Sequence, residues 1–439
     1  MFEKLRSLAG IGAKAPEHPL ADPRELRRII EEIPADNAFR ALDEIVVWLE
    51  SLRAAADFPA DRLYKALSRL DDAAQPSLRR LTRDYLHSTR LASTEERRLW
   101  AIHHGFWSLL AAGYERCLPA PGPKTRAGEA LKQALPALCA RLIAALGAIY
   151  KWEQFHHGPS TDTLWLRLGT ALRLAEAGGG ASRAVRLHEN TPGLSSPHQE
   201  FVRIVALHAA SLDSLLPLEI ELSERLLAHF ASAFYFSPVA AHDCVYWIDL
   251  EQAAAPARLA RMPARTAATL RFFKPAKAHA GIAGLLNDIE QGREIPAAIN
   301  LGGQYPARTL LPVLRHLATY LAPVPPQRRH DRFSVKQRAL VAPGLANACK
   351  ALSGQLVDHA GGGPQENWIV DDISRGGFGA TLNEQPGEWL KVGALVAMQP
   401  QGGANWLLAI VRRVHRRGET VAQVGIETLA LHAEPVDLK

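Results

Sequence analysis

The chain has 439 residues, 47% of them hydrophobic and 22% charged, with a formal net charge of +6. It is too long for one compact core and too ordinary in composition to be disordered or fibrous, so two or more globular domains are expected. So small a positive surplus tolerates an anionic ligand but gives no case for DNA, which calls for a concentrated basic face.

The first twenty residues interleave charges with apolar positions and lack an apolar run followed by a small-residue cleavage site, so they do not read as a signal peptide. Four cysteines (Cys117, Cys139, Cys244 and Cys349) lie far apart with no CxxC, which favours a reduced, cytoplasmic setting. The most apolar stretch, Ala137 to Tyr150, is interrupted by Arg141, so no transmembrane segment is expected.

From Ala21 to about Leu321 the pattern is helical. Asp22-Pro23-Arg24-Glu25 supplies a cap and a first-turn proline ahead of Leu26, Ile29, Ile30 and Ile33. Asp36 is placed to cap a second helix, and Ser93-Thr94-Glu95-Glu96 reads as a capping box for a later one. The longest helix is expected from about Gly128 to Phe155, and Gly178-Gly179-Gly180 reads as a helix end. Short helices with Pro or Gly at their joints suggest stacked pairs, a solenoid-like region without a strict repeat. Val245–Leu250 reads as a strand pairing with the run around Leu270–Phe273, and divides the region near residue 240. Pro306–Leu321 is a last helix, and 322–326 an extended Pro-rich linker.

Beyond the linker the grammar changes. Val335–Val341, Trp368–Ile373, Phe378–Leu382, Ala394–Gln399, Trp406–Val414 and Val421–Thr428 are short strand-like runs with glycine-rich turns between them. The fold class is therefore α+β and multidomain: an all-α region, 1–321, followed by a small six-stranded antiparallel β-barrel, 327–439.

Two clusters in the C-terminal part carry chemistry. Arg328, Arg329 and Arg332 follow the linker directly, and Asp372-Ile373-Ser374-Arg375-Gly376-Gly377 sits where an apolar run gives way to glycine. Arginines fork onto phosphate oxygens and the O6/N7 edge of guanine, or stack on a purine face. Aspartate accepts from guanine N1–H and its amino group, serine offers a hydroxyl to phosphate, and glycine admits close backbone approach. Together these describe a site for a guanine nucleotide carrying phosphate.

Arg328-x-x-x-Arg332 followed by Asp372-x-Ser374-x-x-Gly377 resembles the signature of the PilZ domain, the bacterial receptor module for cyclic di-GMP. The resemblance covers roughly the last quarter of the chain and implies a cyclic di-GMP effector. It implies ligand contacts from Arg328, Arg329, Arg332, Asp372 and Ser374, with Gly376 and Gly377 shaping the turn. Residues 1–321 would then be an output surface for a protein partner. The alternative is a PilZ-like adaptor that acts without nucleotide. An enzyme has no support, for there is no GxSxG elbow, P-loop or GxGxxG. The adjacent pairs His103-His104 and His156-His157 diverge by about 100° on a helix and cannot chelate from one face, so no metal or cofactor is expected. Arg412-Arg413 reads more readily as a solvated strand end than as a ligand contact.

Overall fold

The structure, a computed structural model, describes residues 18–88, 91–118, 126–190, 193–261, 263–326, 331–355, 365–383, 387, 389–417 and 420–436. The helical region opens with α1 (Pro23–Glu32), α2 (Ala38–Ala54), α3 (Ala60–His87), α4 (Ser93–Arg116), α5 (Arg126–Phe155), α6 (Asp162–Ala177), α7 (Pro197–Ala209) and α8 (Pro217–His229). Asp22 caps α1 as its sequence suggests, accepting from the Arg24 N–H at 2.7 Å. Two caps differ from expectation. Asn37, not Asp36, caps α2 through the Arg40 N–H, because the helix begins one residue later. The Ser93 box does not form: Ser93 is already helical, Ala92 takes the cap position, and Glu95 and Glu96 instead complement the positive helix start.

The described residues belong to two compact units. The first comprises Met1–Leu146 with Leu174–Pro197. In its interior Arg141 pairs with Asp71 and Asp72 at 3.0 Å each while Tyr114 donates to Asp71. Leu131–Phe155 has the length and apolarity of a membrane span, but most of its apolar window is buried, as in a core helix. Gly178–Gly180 closes α6 with backbone bonds to Leu174, Ala175 and Glu176.

The second unit comprises Gly147–Arg173 with His198–Lys439. It holds a four-stranded sheet of β1 (Tyr235–Ser237), β2 (Tyr246–Asp249), β3 (Ala257–Arg258) and β4 (Leu270–Lys274) in the order β1-β4-β2-β3. The expected pairing is present: Trp247 lies opposite Phe272. After it come α9 (Lys277–Glu290) and α10 (Ala307–Tyr320), which buries Leu310, Val313, Leu314 and Leu317 on one face.

The barrel follows with β5 (Phe333–Pro343), α11 (Leu345–Leu352), β6 (Glu366–Ser374), β7 (Gly377–Leu382), β8 (Leu395–Pro400), β9 (Leu407–Arg416) and β10 (Ala422–Ala430). It is closed in the order β10-β7-β6-β5-β8-β9, every pair antiparallel, so no strand edge is left unpaired. All six strands fall where alternation in the sequence puts them. Inward positions such as Val341, Trp368, Val370, Val396, Met398, Val411, Val424 and Ile426 fill the interior. Helix α11 was not expected. It uses part of the interval between Arg332 and Asp372 to pack Ala348 and Ala351 against Ala342 and Ala397, and β5 and β6 still pair, with Ser334 opposite Asp372.

Candidate functional site

Strands β6 and β7 form a hairpin whose two-residue turn is Arg375-Gly376. Gly377 lies between two neighbours, opposite Ser374 on one side and Glu427 on the other. A Cβ there would stand 1.9 Å from the Ile426 carbonyl oxygen, so only glycine lets β7 approach β10 this closely. The Thr428 N–H donates to the Gly376 carbonyl at 3.0 Å, fixing the turn against β10.

Two β-bulges decide what the outer surface offers. Side chains alternate along a regular strand, so neighbours face opposite ways. The register of β6 against β7 shifts between Val370 and Asp372. The inserted residue places both Asp371 and Asp372 on the outer face, between inward Val370 and Ile373. On β9, the register against β10 shifts around Arg412, placing Arg412 and Arg413 together on the same face between inward Val411 and Val414.

These residues line an open groove of about 770 Å³, within the roughly 300–1,000 Å³ typical of small-molecule sites. One wall is the barrel, contributing Arg332, Asp371, Asp372, Ser374, Gly379, Arg412, Arg413, His415 and Glu427. The other is helical: Asp213 from the 3-10 turn Leu212–Ser214, Thr319 and Tyr320 at the end of α10, and Pro326 from the linker. Both walls belong to the second unit.

Each described arginine of the groove faces an acceptor. Arg332 Nη1 donates to both Asp372 oxygens, at 2.9 and 3.0 Å. Arg412 Nε donates to Glu427 at 2.5 Å. Arg413 donates to the Tyr320 hydroxyl at 2.9 Å and stands 3.9 Å from the Asp213 carboxylate. Space for the Asp372 carboxylate comes from Gly379, where a Cβ would lie 2.8 Å from both oxygens. Ser374 Oγ makes only a long bond, 3.3 Å, to the Gly377 carbonyl. His415 and His316 are both held below the usual imidazole range by burial, against the opposing pull of Asp213. Near neutral pH the described cations of the groove are therefore three arginines, set against Asp213, Asp371, Asp372 and Glu427.

Of the residues singled out in the sequence, Arg332, Asp372 and Ser374 come together on the groove. Gly376 and Gly377 shape the hairpin rather than the lining. Arg328 and Arg329 lie outside the described residues. Sequence reasoning passed over Asp371, Gly379, Asp213 and Tyr320, and set Arg412 and Arg413 aside as a solvated strand end. The doubled Asp371-Asp372 and Arg412-Arg413, each inside an otherwise alternating strand, were the signal of a bulge. Among the described residues no group of three or more His, Cys, Asp or Glu side chains is arranged to hold a metal.

Two family models match the chain, both of one family. The N-terminal domain of the cyclic-di-GMP receptor FimW matches residues 24–240, and its middle PilZ domain matches residues 362–435. A search of curated proteins finds no match.

Proposed function

We infer that this chain, which belongs to the cyclic-di-GMP receptor FimW family, takes up its ligand in the groove on the outer face of β6, β7, β9 and β10. It is a cyclic di-GMP effector with the family's N-terminal domain and a PilZ domain. The observation that carries the site assignment is the direct pairing of Arg332 with Asp372 inside a groove of dinucleotide size.

The mechanism follows from how the charged side chains of the groove pair with one another. Asp372 and Glu427 accept from single guanidinium nitrogens of Arg332 and Arg412, where phosphate oxygens could also accept. The phosphates of cyclic di-GMP displace them. Arg332 turns to phosphate or to the guanine Hoogsteen edge, and the freed Asp372 accepts from guanine N1–H and the amino group. Ser374, whose present bond is long, turns its hydroxyl to a phosphate oxygen.

Four carboxylates against three arginines do not attract a dianion by themselves. The surplus positive charge comes from Arg328 and Arg329, just before Arg332 in sequence. Residues 1–321 carry the output to a protein partner. Motility, surface attachment, exopolysaccharide and secretion control are the candidate settings, and the reduced cysteines, all free in the structure, suit the cytoplasm. The excess of carboxylates also favours a second reading, a protein adaptor without nucleotide.

Calorimetry on the full chain decides between them. Micromolar or tighter binding of cyclic di-GMP, lost in Arg332→Ala and Asp372→Ala, supports the receptor site. Absence of heat from well-folded wild type supports the adaptor.

A further inference from the structure

The geometry points to a second guanine subsite where the helical wall of the groove meets β9, built from Asp213, Tyr320 and Arg413. It rests on the reading of the groove as the cyclic di-GMP site, and extends that site from the barrel to the helices before it.

Cyclic di-GMP presents the same recognition problem twice: two guanines, each with an N1–H/amino edge and an O6/N7 edge. The groove also offers one solution twice. On the barrel side stand an aspartate and an arginine, Asp372 and Arg332. Across the groove stands another aspartate, Asp213 of the helical wall, with another arginine, Arg413 of β9, reaching toward it, both lining the same cavity. Carboxylates accept from the first guanine edge and guanidinium groups donate to the second.

The third arginine in the groove does not offer the same chemistry. Arg412 is held by Glu427 at 2.5 Å, and among the described residues no aromatic ring lies against it. Asp213 is held loosely: the Arg413 Nε lies 3.9 Å away, and the Ser211 hydroxyl gives only a long bond of 3.4 Å. Its carboxylate keeps acceptor capacity for a base edge. Tyr320 brings the missing face. Its hydroxyl accepts from Arg413 at 2.9 Å, and its ring backs onto His316, centroids 4.4 Å apart. It is a braced aromatic surface beside a guanidinium, the arrangement on which a purine stacks.

The consequence is mechanical as well as chemical. Tyr320 is the last residue of α10, one residue short of the linker. A ligand whose one guanine sits against Asp372 and the other against Tyr320 ties α10 to the barrel through itself and replaces the Arg413–Tyr320 bond with its own contacts. Messenger binding is then read by α10 as well as by the residues that follow it.

The test uses the full chain with two ligands: cyclic di-GMP, and the mixed cyclic dinucleotide with one guanine and one adenine. Adenine lacks the N1–H and amino group that Asp213 would accept, so wild type should prefer cyclic di-GMP by about tenfold or more, the worth of one charged hydrogen-bond pair. Asp213→Asn should weaken cyclic di-GMP by a similar factor yet leave the mixed ligand nearly unchanged, closing the gap. Tyr320→Ala should weaken both ligands, and Tyr320→Phe, which keeps the ring, should bind close to wild type. Melting curves identify any variant that fails to fold; Asp213→Asn then decides, since it removes charge without volume. Equal loss for both ligands in Asp213→Asn would assign it a structural role and overturn the subsite. Wild-type binding by Asp213→Asn and Tyr320→Ala, with Asp372→Ala inactive, would also overturn it and leave the barrel site standing. A well-folded wild type that binds neither ligand would remove both.

Discussion

A methyl group added at Gly377 or at Gly379 has two separable effects. At Gly377 the new carbon meets a backbone oxygen, that of Ile426, at 1.9 Å. The oxygen cannot yield without parting β7 from β10. Gly377→Ala is expected to cost about 1–3 kcal/mol or more, read as a lower melting temperature. At Gly379 the obstruction is the Asp372 carboxylate at 2.8 Å, the end of a side chain that can rotate. Gly379→Ala should therefore melt close to wild type and bind cyclic di-GMP about tenfold more weakly, because the guanine acceptor is displaced. A calorimetric titration beside a melting curve separates the two outcomes. Arg328 makes the complementary case. With acids outnumbering arginines on the described lining, Arg328→Ala should cost about ten- to a hundredfold in affinity, the range of a charged hydrogen bond. The wild-type affinity should also fall as salt rises. Asp372 and Ser374 were legible in the sequence because a hairpin is local: a few consecutive residues define both the turn and what it displays. Gly379 was not, since its need arises from a neighbouring strand's side chain.

At the level of elements, both decisive features of the groove are irregularities. Without the bulge in β6, either Asp371 or Asp372 would point into the apolar interior, and the same holds for Arg412 and Arg413 on β9. The strands themselves were legible from two-residue alternation and glycine punctuation, which depend on no distant contact. Reading the doubled charges correctly required knowing which partner strand lies alongside, and sequence does not give that. Helix α11 was missed for a similar reason: its alanines acquire meaning only against Ala342 and Ala397. The opposite rim of the barrel is held by a different device. Trp368 and Trp389 stack with centroids 5.9 Å apart, and both indole N–H groups donate to Glu366, at 2.9 and 2.6 Å. One carboxylate satisfies two aromatic donors and pins the segment between β7 and β8 to β6. Glu366→Ala leaves both donors without their acceptor and is expected to cost about 1–3 kcal/mol. Tryptophan emission during urea unfolding should report an earlier midpoint.

For the molecule as a whole, helix followed by barrel was legible because periodicity changes from 3.6 to two at the linker. That Asp213 and Tyr320 share a groove with Asp372 was not, for nothing local links a turn between helices to a strand so much later in the chain. The same long-range packing sets the response to acid. His157 is enclosed near the end of β9, where the Arg416 N–H donates to its carbonyl at 2.8 Å. Burial, aided by Arg416, His156 and His415, pushes its imidazole down to about 4. His208, between Tyr150 and the Pro256 carbonyl, is also lowered to about 4 by burial. Burial shifts His18, His316 and His415 in the same direction. Above an ordinary imidazole value of 6.5, these groups are neutral both folded and unfolded and add no pH dependence. Below it the unfolded chain takes up protons that the folded protein refuses, so stability falls as the solution is acidified. For His157 and His208 the slope approaches about 1.4 kcal/mol per pH unit each, and it continues until their folded values are reached. Glu224, held near 2 because Lys151, Arg203 and Arg225 outweigh its burial, loses its contribution in a lower window than the histidines do. Urea midpoints measured between about pH 6.5 and 5 should drop steadily in wild type. In a His157→Gln/His208→Gln double variant the dependence should flatten markedly, and a variant that kept the full wild-type slope would show that the protons are taken up elsewhere.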